Sequence, residues 1–265
     1  MKIGALIPIR LDSERLPGKA LLPILDRPVV HHLLDRVCAS RYIENPRDVV
    51  VCTTEDPSDD PLVESVEGYG CSAFRGDRDD IIKRFRDAIE VFELDAVIQV
   101  DGDDPLSATE YMDLTMDQIV ADGTLDIVTC DGLPFGIATK SFTRDAMEKV
   151  FASYRTTEND TGFISFFTKT GICKQKTITP ISSDHIHEEA RLTLDYDVDL
   201  ELFRRIFGAL YKPGKIFGLA EVVKFLREHP EDVQINKGVD EEYWSRWTEK
   251  ASLRFVDADG SERTI

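Results

Sequence analysis

The stretch from residue 2 to residue 22, "KIGALIPIRLDSERLPGKALL", places a short apolar run directly before a loop that carries Arg10, Arg15 and Lys19. The run "KIGALIP" is typical of a buried strand in a parallel sheet. In the loop, Gly18 allows the backbone to approach a ligand closely, and three cations can bind a polyphosphate. The stretch therefore predicts a first strand that ends in a candidate anion-binding loop.

Two common phosphate-binding motifs are absent from this loop. A Walker A motif needs Gly at the position of Ser13 and Ser or Thr at Ala20. The dinucleotide motif GxGxxG is also missing, because Gly4 lies inside the predicted strand and Gly18 stands alone. The residues alone leave two interpretations open, a phosphate-binding loop and a solvated surface loop whose cations have no ligand.

Strands and helices alternate through the first half of the chain. The runs "DVVVCTT", "CSAFR", "AVIQV" and "LDIVTC" predict strands, and "PVVHHLLDRV" and "DDIIKRFRDAIEVF" have helical spacing. Ser107 and Glu110 form an S-x-x-E pattern that predicts a capping box at the helix after the fourth strand. This βαβαβ order predicts an α/β fold with a doubly wound, mostly parallel sheet, whose ligands bind at the carboxyl ends of the strands.

The alternation is less regular after Asp131. The runs "FGIATKSF", "ICKQKTI" and "RLTL" predict strands, and "TRDAMEKVFASY", "DVDLELFRRIF" and "LAEVVKFLREH" predict helices. We predict a single domain over residues 1–236, with a smaller inserted lobe over about 131–190. Residues 237–265 are predicted to form a C-terminal extension that is partly extended or ordered by a partner.

The composition limits the possible functions. The 265 residues are 42% hydrophobic, enough for a sizeable core, and the formal net charge of -18 argues against general binding to nucleic acid or anionic membranes. Five scattered cysteines without a CxxC pair predict reduced, mostly buried thiols. The chain has no apolar stretch of the ~20 residues needed to span a bilayer. Its N-terminal apolar run is too short for a signal peptide, so we predict a cytoplasmic location.

Acidic residues follow the predicted fourth strand in "DGDDPL". In an extended segment Asp101 and Asp103 point to the same side, where two carboxylates can bind one hard cation. The alternative interpretation is a polar turn. The pattern also resembles the DxD motif of nucleotide-sugar glycosyltransferases.

A second acidic run, "RLTLDYDVDL", follows another predicted strand. Asp197 and Asp199 lie in the first turn of a helix, where negative charge is favourable to the helix dipole, so they require no functional explanation. Asp195 ends the strand. If that strand lies beside the fourth one, Asp103 and Asp195 flank one Mg2+.

The loop and the later runs together resemble one protein family. "IPIRLDSERLPGKALLPI" is similar to the signature PARxxSxRLPGKxL of the sugar-acid cytidylyltransferases, which include 3-deoxy-manno-octulosonate cytidylyltransferase. The similarity is greatest to the branch named for spore coat polysaccharide biosynthesis protein F. Further runs resemble that branch in the same order over about residues 3–236: "VCTTEDPSDDPLVE", "AFRGDRDDIIKRFRDA", "QVDGDDPL", "RLTLDYDVDLELFRRI" and "HPEDVQIN".

The resemblance implies a nucleotide-diphospho-sugar transferase-like fold and transfer of CMP from CTP to an anionic sugar or sugar acid, with Mg2+ and release of pyrophosphate. It implies that Asp103 and Asp195 bind the metal and that Arg15 and Lys19 act with them in catalysis. The positions it assigns to the nucleotide are Arg10, Ser13, Arg15, Lys19, Thr53, Thr54, Arg75, Gly76 and, more weakly, Asp101.

One segment departs from the family pattern. The family's R-E-H-V-T-like segment corresponds here to "TENDTGF", which keeps Glu158 and Thr161 but has Thr157 and Asn159 in place of Arg and His. We predict that Glu158 and Thr161, together with Lys140, contact the acceptor. The resemblance also implies a homodimer through the second lobe. The apolar face of "GFISFF" is either that dimer surface or core, and its helical spacing favours core.

Two other functions remain compatible with these residues. One is a nucleotidyltransferase that acts on a sugar phosphate with another NTP, or a DxD glycosyltransferase, although a glycosyltransferase has no need of the "RLPGK" loop. The other is a catalytically silent nucleotide-binding subunit of a glycan pathway, which has no evident use for Lys19, Asp103 and Asp195 together.

Overall fold

The strands and helices follow the alternating order of the sequence. The computed structural model describes residues 1–159, 162–239, 253–257 and 259–265. The strands are β1 (Ile3–Pro8), β2 (Pro23–Ile24), β3 (Arg27–Pro28), β4 (Val49–Thr54), β5 (Ser72–Gly76), β6 (Ala96–Gln99), β7 (Ile127–Cys130), β8 (Lys140–Thr143), β9 (Gln175–Ile178), β10 (Arg254–Val256) and β11 (Glu262–Thr264). The helices are α1 (Val29–Cys38), α2 (Asp60–Tyr69), α3 (Ile81–Val91), α4 (Thr109–Ala121), α5 (Arg144–Ser153), α6 (Ser165–Thr168), α7 (Asp197–Leu210), α8 (Leu219–Glu228) and α9 (Pro230–Val233).

A seven-stranded sheet in the order β5-β4-β1-β6-β8-β7-β9 forms the centre of the protein. β8 runs antiparallel to both of its neighbours, and the other pairings are parallel. The strand order reverses after β1, because β4 lies on one side of it and β6 on the other. This arrangement confirms the predicted doubly wound, mostly parallel α/β fold.

Apolar side chains fill both faces of the sheet because alternate residues of each strand point to opposite sides. On one face Ile7 of β1 packs with residues of α1, α2 and α4, while on the other face Leu6 packs with residues of α3 and α5. A third cluster joins α7 and α8 to α4. The phenylalanines of "GFISFF" belong to the second face, and Phe166 and Phe167 have no exposed surface. The interpretation of this run as core is therefore confirmed.

Two local sequence predictions are wrong. Helix α4 begins at Thr109 without a side-chain cap, because the carboxylate of Glu110 accepts a hydrogen bond from the backbone N–H of Leu219 (2.9 Å) instead. The run "RLTL" is extended, but only Arg191 makes a β-bridge, to Phe135. Its remaining backbone groups contact loops rather than a neighbouring strand.

The second half of the chain contributes to the same sheet. β8 and β9 lie within residues 131–190 and pair with β6 and β7. At the end of the chain, β10 and β11 form an antiparallel hairpin in which Phe255 is buried against the second sheet face. Residues 240–252 of the predicted extension lie outside the described residues. The domain boundaries stay predictions.

The five cysteines are free thiols, and Cys52, Cys71 and Cys173 are buried, as predicted. Their pKa values fit this burial, which raises the pKa of Cys52 and of Cys173 to about 12. Among the helices of the described ranges, none combines the length and the apolar character needed to cross a bilayer.

Candidate active site

The loop that follows β1 is fixed to the end of β4 by one buried carboxylate. Asp59 accepts hydrogen bonds from the backbone N–H of Leu11 (2.8 Å) and from the hydroxyls of Thr53 (2.8 Å) and Thr54 (2.5 Å). The backbone N–H of Gly18 donates to the carbonyl of Leu11 (3.0 Å), which closes the loop on itself. Thr53 and Thr54 thus anchor the loop through Asp59, and their predicted contact with a nucleotide stays a prediction.

Lys19 lies between the two carboxylates that the sequence predicts as metal ligands. Its ammonium donates to Asp103 Oδ2 (2.9 Å), to Asp195 Oδ1 (3.0 Å) and to the carbonyl of Leu194 (2.8 Å). Burial lowers the pKa of Lys19, but the charges of Asp103 and Asp195 outweigh that effect and raise the pKa above its ordinary value. The three residues are therefore in direct contact, and Lys19 is a cation.

The "DGDDPL" segment is a turn, not an extension of β6. The backbone N–H of Asp104 donates to the carbonyl of Asp101 (3.1 Å), so the alternation predicted for an extended chain does not apply. Asp101 pairs with Lys140 (2.7 Å), while Asp103 pairs with Lys19. The extended geometry from which a shared cation site was predicted is therefore absent and the segment is a polar turn, while binding of a cation by Asp101 and Asp103 stays a prediction.

Gly102 allows this turn to lie directly on the end of β1. A Cβ atom at Gly102 would lie 2.5 Å from the carbonyl oxygen of Pro8 and 2.2 Å from a side-chain carbon of Ile9. Backbone atoms cannot yield to such a contact, so only glycine fits here. The contact brings the loops after β1 and β6 together, which places Asp103 within reach of Lys19.

Asp104 is buried beneath this turn. Burial, followed by the charges of Asp103 and Asp101, raises the pKa of Asp104 well above its ordinary value. Both causes oppose ionisation of this carboxyl. The carboxylates that contact cations at the centre of the site are Asp103 and Asp195.

Asp195 lies in a buried network that the second half of the chain provides. Arg191 donates to Asp195 Oδ2 (2.9 Å) and to Asp199 Oδ1 (3.3 Å), and Arg15 forms a further ion pair with Asp195. The backbone N–H of Leu194 donates to the carbonyl of Asp103 (2.8 Å), which joins this segment to the turn after β6. The sequence predicted contact between Asp103 and Asp195 through sheet pairing, whereas the structure achieves it through this loop contact and Lys19.

Other predicted nucleotide-binding residues surround the loop. Arg10 pairs with Asp12 (3.3 Å) and lies 3.8 Å from Asp79, and the hydroxyl of Ser13 accepts from the backbone N–H of Leu16 (3.4 Å). These contacts leave Arg10 about one third exposed at the surface. The cations of the loop thus already have carboxylate partners, which a phosphate ligand would have to replace.

Arg75 and Gly76 lie at the end of β5, beside β4. Arg75 donates to the carbonyls of Thr54 and Asp56 (both 3.3 Å) and forms an ion pair with Asp60. A Cβ atom at Gly76 would lie 2.9 Å from the ring of Phe74. The carboxyl ends of β1, β4, β5 and β6 therefore carry the predicted nucleotide-binding residues at one edge of the sheet, and their contact with a nucleotide stays a prediction.

The predicted acceptor residues that the structure describes have different surroundings. Glu158 is exposed, Lys140 is paired with Asp101, and Thr161 lies outside the described residues. Asn159 is fully buried, and its side-chain oxygen accepts from the backbone N–H groups of Ile81 (2.8 Å) and Ile82 (3.2 Å). Asn159 therefore caps α3, and an acceptor-binding role for Glu158, Thr161 and Lys140 stays a prediction.

The oxygen atoms around Lys19 are of the types that bind a hard divalent cation. Two carboxylates and a backbone carbonyl converge on one ammonium, and oxygen atoms of these types are the ligands that Mg2+ prefers. Across the described ranges, no group of three or more His, Cys, Asp or Glu side chains is placed to hold a metal ion. Two carboxylates suit Mg2+ nonetheless, because it is usually held by one or two carboxylates, with phosphates and waters as its remaining ligands.

The sequence predictions missed four residues that shape the site. Asp59 anchors the first loop, and Arg191, Asp199 and Asn236 surround Asp195. All four lie within the runs that resemble the family, so the resemblance pointed to these segments but not to the roles of the residues. Asp59 and Asn236 contact residues that lie 48 and 37 positions away, which no local pattern reveals, whereas Arg191 and Asp199 contact Asp195 at a distance of four positions each.

Fold and site together define a doubly wound α/β protein in which a cationic loop contacts two carboxylates at the carboxyl ends of the strands. The sequence model of a family described as cytidylyltransferase matches residues 4–161, more than half of the chain. The protein therefore belongs to the cytidylyltransferase family. This confirms the predicted enzyme class, a nucleotidyltransferase.

Similar proteins agree with this assignment. An uncharacterized protein of Methanocaldococcus jannaschii is 28% identical over 90% of this chain and 96% of its own. The spore coat polysaccharide biosynthesis protein SpsF of Bacillus subtilis and the 3-deoxy-manno-octulosonate cytidylyltransferase of Pelobacter propionicus are each 32% identical. These two matches cover 50% and 49% of this chain, and only 55% and 49% of the respective relatives.

Solved structures show the same fold. A cytidylyltransferase from Leptospira borgpetersenii is 27% identical, with a TM-score of 0.79 over 88% of this chain and 97% of that structure. A CMP:2-keto-3-deoxy-manno-octonic acid synthetase complexed with CTP has a TM-score of 0.60 over 78% of this chain and 99% of its own, at 17% identity. At that identity the likeness extends to the fold alone.

Proposed function

We propose that the protein is a Mg2+-dependent cytidylyltransferase that transfers CMP from CTP to an anionic sugar or sugar acid and releases pyrophosphate. The observation that carries the proposal is the contact of Lys19 with both Asp103 and Asp195, which come from three distant parts of the chain. The family of the chain and the names of its relatives favour CTP and a sugar-acid acceptor.

Phosphoryl transfer of this kind depends on alignment and charge stabilisation more than on covalent chemistry. Arg10, Ser13, Arg15 and Lys19 bind the triphosphate, and Arg15 and Lys19 stabilise the charge that develops on the departing pyrophosphate. To reach the phosphates, Lys19 leaves its contacts with Asp103 and Asp195. The reaction is then a direct in-line displacement at the α-phosphorus by an acceptor oxygen.

Asp103 and Asp195 are the residues that would hold Mg2+. When bound, the ion supplies positive charge that polarises the α-phosphate and orients its oxygens. The two aspartates lie on loops that are joined by the hydrogen bond between Leu194 and Asp103, so they keep a fixed separation while the ligands bind.

Lys140 and the segment that contains Glu158 are the features that bear on the acceptor. Lys140 offers a cation close to the site, but Asp101 neutralises it. The segment with Glu158 has Thr157 and Asn159 where the family pattern has Arg and His. We propose that the acceptor carboxylate binds on the side of Lys140 and Glu158, and that surface glycan biosynthesis uses the product. A homodimer and a cytoplasmic location stay predictions.

Measurement of pyrophosphate release tests the proposal. The protein is incubated with Mg2+, each of the four NTPs and a panel of anionic sugars, sugar acids and sugar phosphates. Release that requires CTP and a sugar acid supports it. Release with another NTP and a sugar phosphate instead assigns a different substrate pair, and NTP binding without release for any acceptor indicates a silent subunit.

A further inference from the structure

The carboxylate of Asp199 is completely buried and binds the backbone on either side of the Asp195 side chain. Its Oδ2 atom accepts hydrogen bonds from the backbone N–H groups of Asp195 and Tyr196, both at 2.9 Å. Its exposed fraction is 0%, so it cannot touch a ligand in this arrangement. A favourable interaction with the helix dipole does not require such burial, because the dipole also acts on exposed first-turn acids.

Asn236 holds the other oxygen of the same carboxylate. Its side-chain amide donates to Asp199 Oδ1 (2.7 Å) and to the backbone carbonyl of Arg191 (3.0 Å). Asn236 is 1% exposed and follows α9. A single amide therefore joins the first residue of the 191–199 segment to its last residue.

The guanidinium of Arg191 completes this arrangement by contacting both carboxylates. It donates to Asp195 Oδ2 (2.9 Å) and Asp199 Oδ1 (3.3 Å), and it is 3% exposed. The opposite side of the segment is fixed by Gly136, where a Cβ atom would lie 2.2 Å from the carbonyl oxygen of Leu192. The segment is thus held from both sides. Arg191 contacts the Oδ2 atom of Asp195 from within the protein, while Arg15 and Lys19 contact its Oδ1 atom.

We propose that Asp199 and Asn236 are positioning residues for Asp195, which hold its carboxylate in the orientation that binds the divalent cation of the nucleotide. The inference rests on the proposed function, in which Asp195 is a metal ligand. Such outer contacts typically change metal affinity or activity by about 10- to 100-fold when they are removed. Neither residue needs to contact the substrate for this effect.

Asn236→Ala is the most direct test, because it removes two hydrogen bonds and leaves every charge in place. The binding of Mn2+ to the protein with saturating CTP and no acceptor is measured by electron paramagnetic resonance. We expect the dissociation constant for Mn2+ to rise about 10-fold or more. Asp199→Asn, which keeps the size of the side chain but loses its charge, is expected to raise it as well.

Asn159→Ala is the matched control. Asn159 is equally buried, and its amide makes a comparable set of hydrogen bonds, to Ile81, Ile82, Asp80 and Thr156, on another part of the fold. A loss of stability alone would lower the melting temperatures of Asn236→Ala and Asn159→Ala alike. Only a positioning role changes the Mn2+ affinity in the first and not in the second. If Asn236→Ala does not fold, Asn236→Ser, which keeps a hydrogen-bond donor, replaces it.

Asp195→Asn distinguishes a failure of the positioning role from a failure of the metal assignment. If Asp195→Asn weakens Mn2+ binding while Asn236→Ala and Asp199→Asn bind as the wild type does, the positioning role is wrong and the metal site stands. If Asp195→Asn itself binds Mn2+ with wild-type affinity, the metal assignment of the proposed function is wrong, and the positioning role is overturned with it.

Discussion

Lys19 takes the place between Asp103 and Asp195 that a divalent cation would need. The side chains of Lys19, Arg15 and Arg191 balance those of Asp103, Asp195 and Asp199 in number, so these six groups together carry no net charge. A metal ion that entered alone would add two positive charges beside these cations. Entry together with a triphosphate avoids that cost, because the phosphates attract Lys19 and Arg15 away from the carboxylates.

Lys19→Met therefore has opposite effects on metal binding and on catalysis. Without nucleotide, we expect Mn2+ to bind the variant at least about tenfold more tightly than the wild type. The reason is that the positive charge of Lys19, which lies close to the metal site and repels the ion, is removed. Pyrophosphate release is expected to fall, since the phosphates lose a cation. Isothermal titration with Mn2+ measures the first effect. Lys149→Met, which removes a lysine paired with Asp126, is the control. Equal Mn2+ affinity in Lys19→Met and wild type would refute competition between Lys19 and the metal ion for Asp103 and Asp195.

Asp103→Asn is expected to lower the rate of pyrophosphate release by about 100-fold or more, the scale on which loss of one charge-stabilising group acts. Lys19 keeps Asp195 and the carbonyl of Leu194 as partners, so we expect the fold to persist. Initial rates and melting curves are compared with those of Asp117→Asn, which loses a surface pair with Arg41. A wild-type rate in Asp103→Asn would remove this residue from the metal site.

At the scale of elements, the sequence predicted β1, β4 and β6 well, because each is a mostly apolar run that is buried within the sheet. It failed where a side chain found a distant partner. The carboxylate of Glu110 accepts a hydrogen bond from the first residue of α8, Leu219, instead of capping α4. Asp101 forms an ion pair with Lys140. The contacts of Asp103 with Lys19 and of Asp195 with Arg15 are likewise invisible to periodicity, since they join residues far apart in the chain.

Helix α1 contains a buried histidine, His32. His32 is 2% exposed, packs 4.4 Å from the ring centroid of Phe207, and its Nε2 lies 2.9 Å from the carbonyl of Ile24. Burial lowers the pKa of His32 below its ordinary value. The unfolded chain therefore binds more protons than the folded chain as the pH falls below about 6.5.

We expect the free energy of unfolding to decrease from pH 7 to pH 5, in part through His32. In His32→Phe this decrease should be smaller, because phenylalanine does not titrate. Urea unfolding at pH 5, 6 and 7 gives the comparison. His229→Phe, at a half-buried site, is the control for the loss of one histidine. Parallel pH curves for His32→Phe and wild type would contradict the prediction.

At the scale of the whole molecule, the C-terminal hairpin packs against the same central sheet that contains β1. The hairpin of β10 and β11 buries Phe255 against the sheet face that holds α3 and α5, and the backbone N–H of Arg155 donates to the carbonyl of Arg254 (2.8 Å). Phe255 therefore belongs to the core, while the described residues 259–264 of the polar run that follows it are exposed.

Phe255→Ala is expected to lower the free energy of unfolding by about 3 kcal/mol, the usual cost of removing a buried phenylalanine side chain. Denaturant unfolding monitored by circular dichroism measures the change. Glu262→Ala, which alters an exposed residue on the partner strand, should change it by less than about 0.5 kcal/mol. Equal stability of Phe255→Ala and wild type would show that the hairpin contributes no packing energy.

The contacts around Asp195 also have a consequence for the order in which the protein is made. The ribosome synthesises the cationic loop first, but Asp195, its most buried carboxylate partner, follows about 180 residues later, and Asn236 later still. At typical rates of 5–20 residues per second, the loop waits on the order of ten seconds or more for this partner. During that interval the nascent chain carries Arg15 and Lys19 without Asp195 to offset their charge.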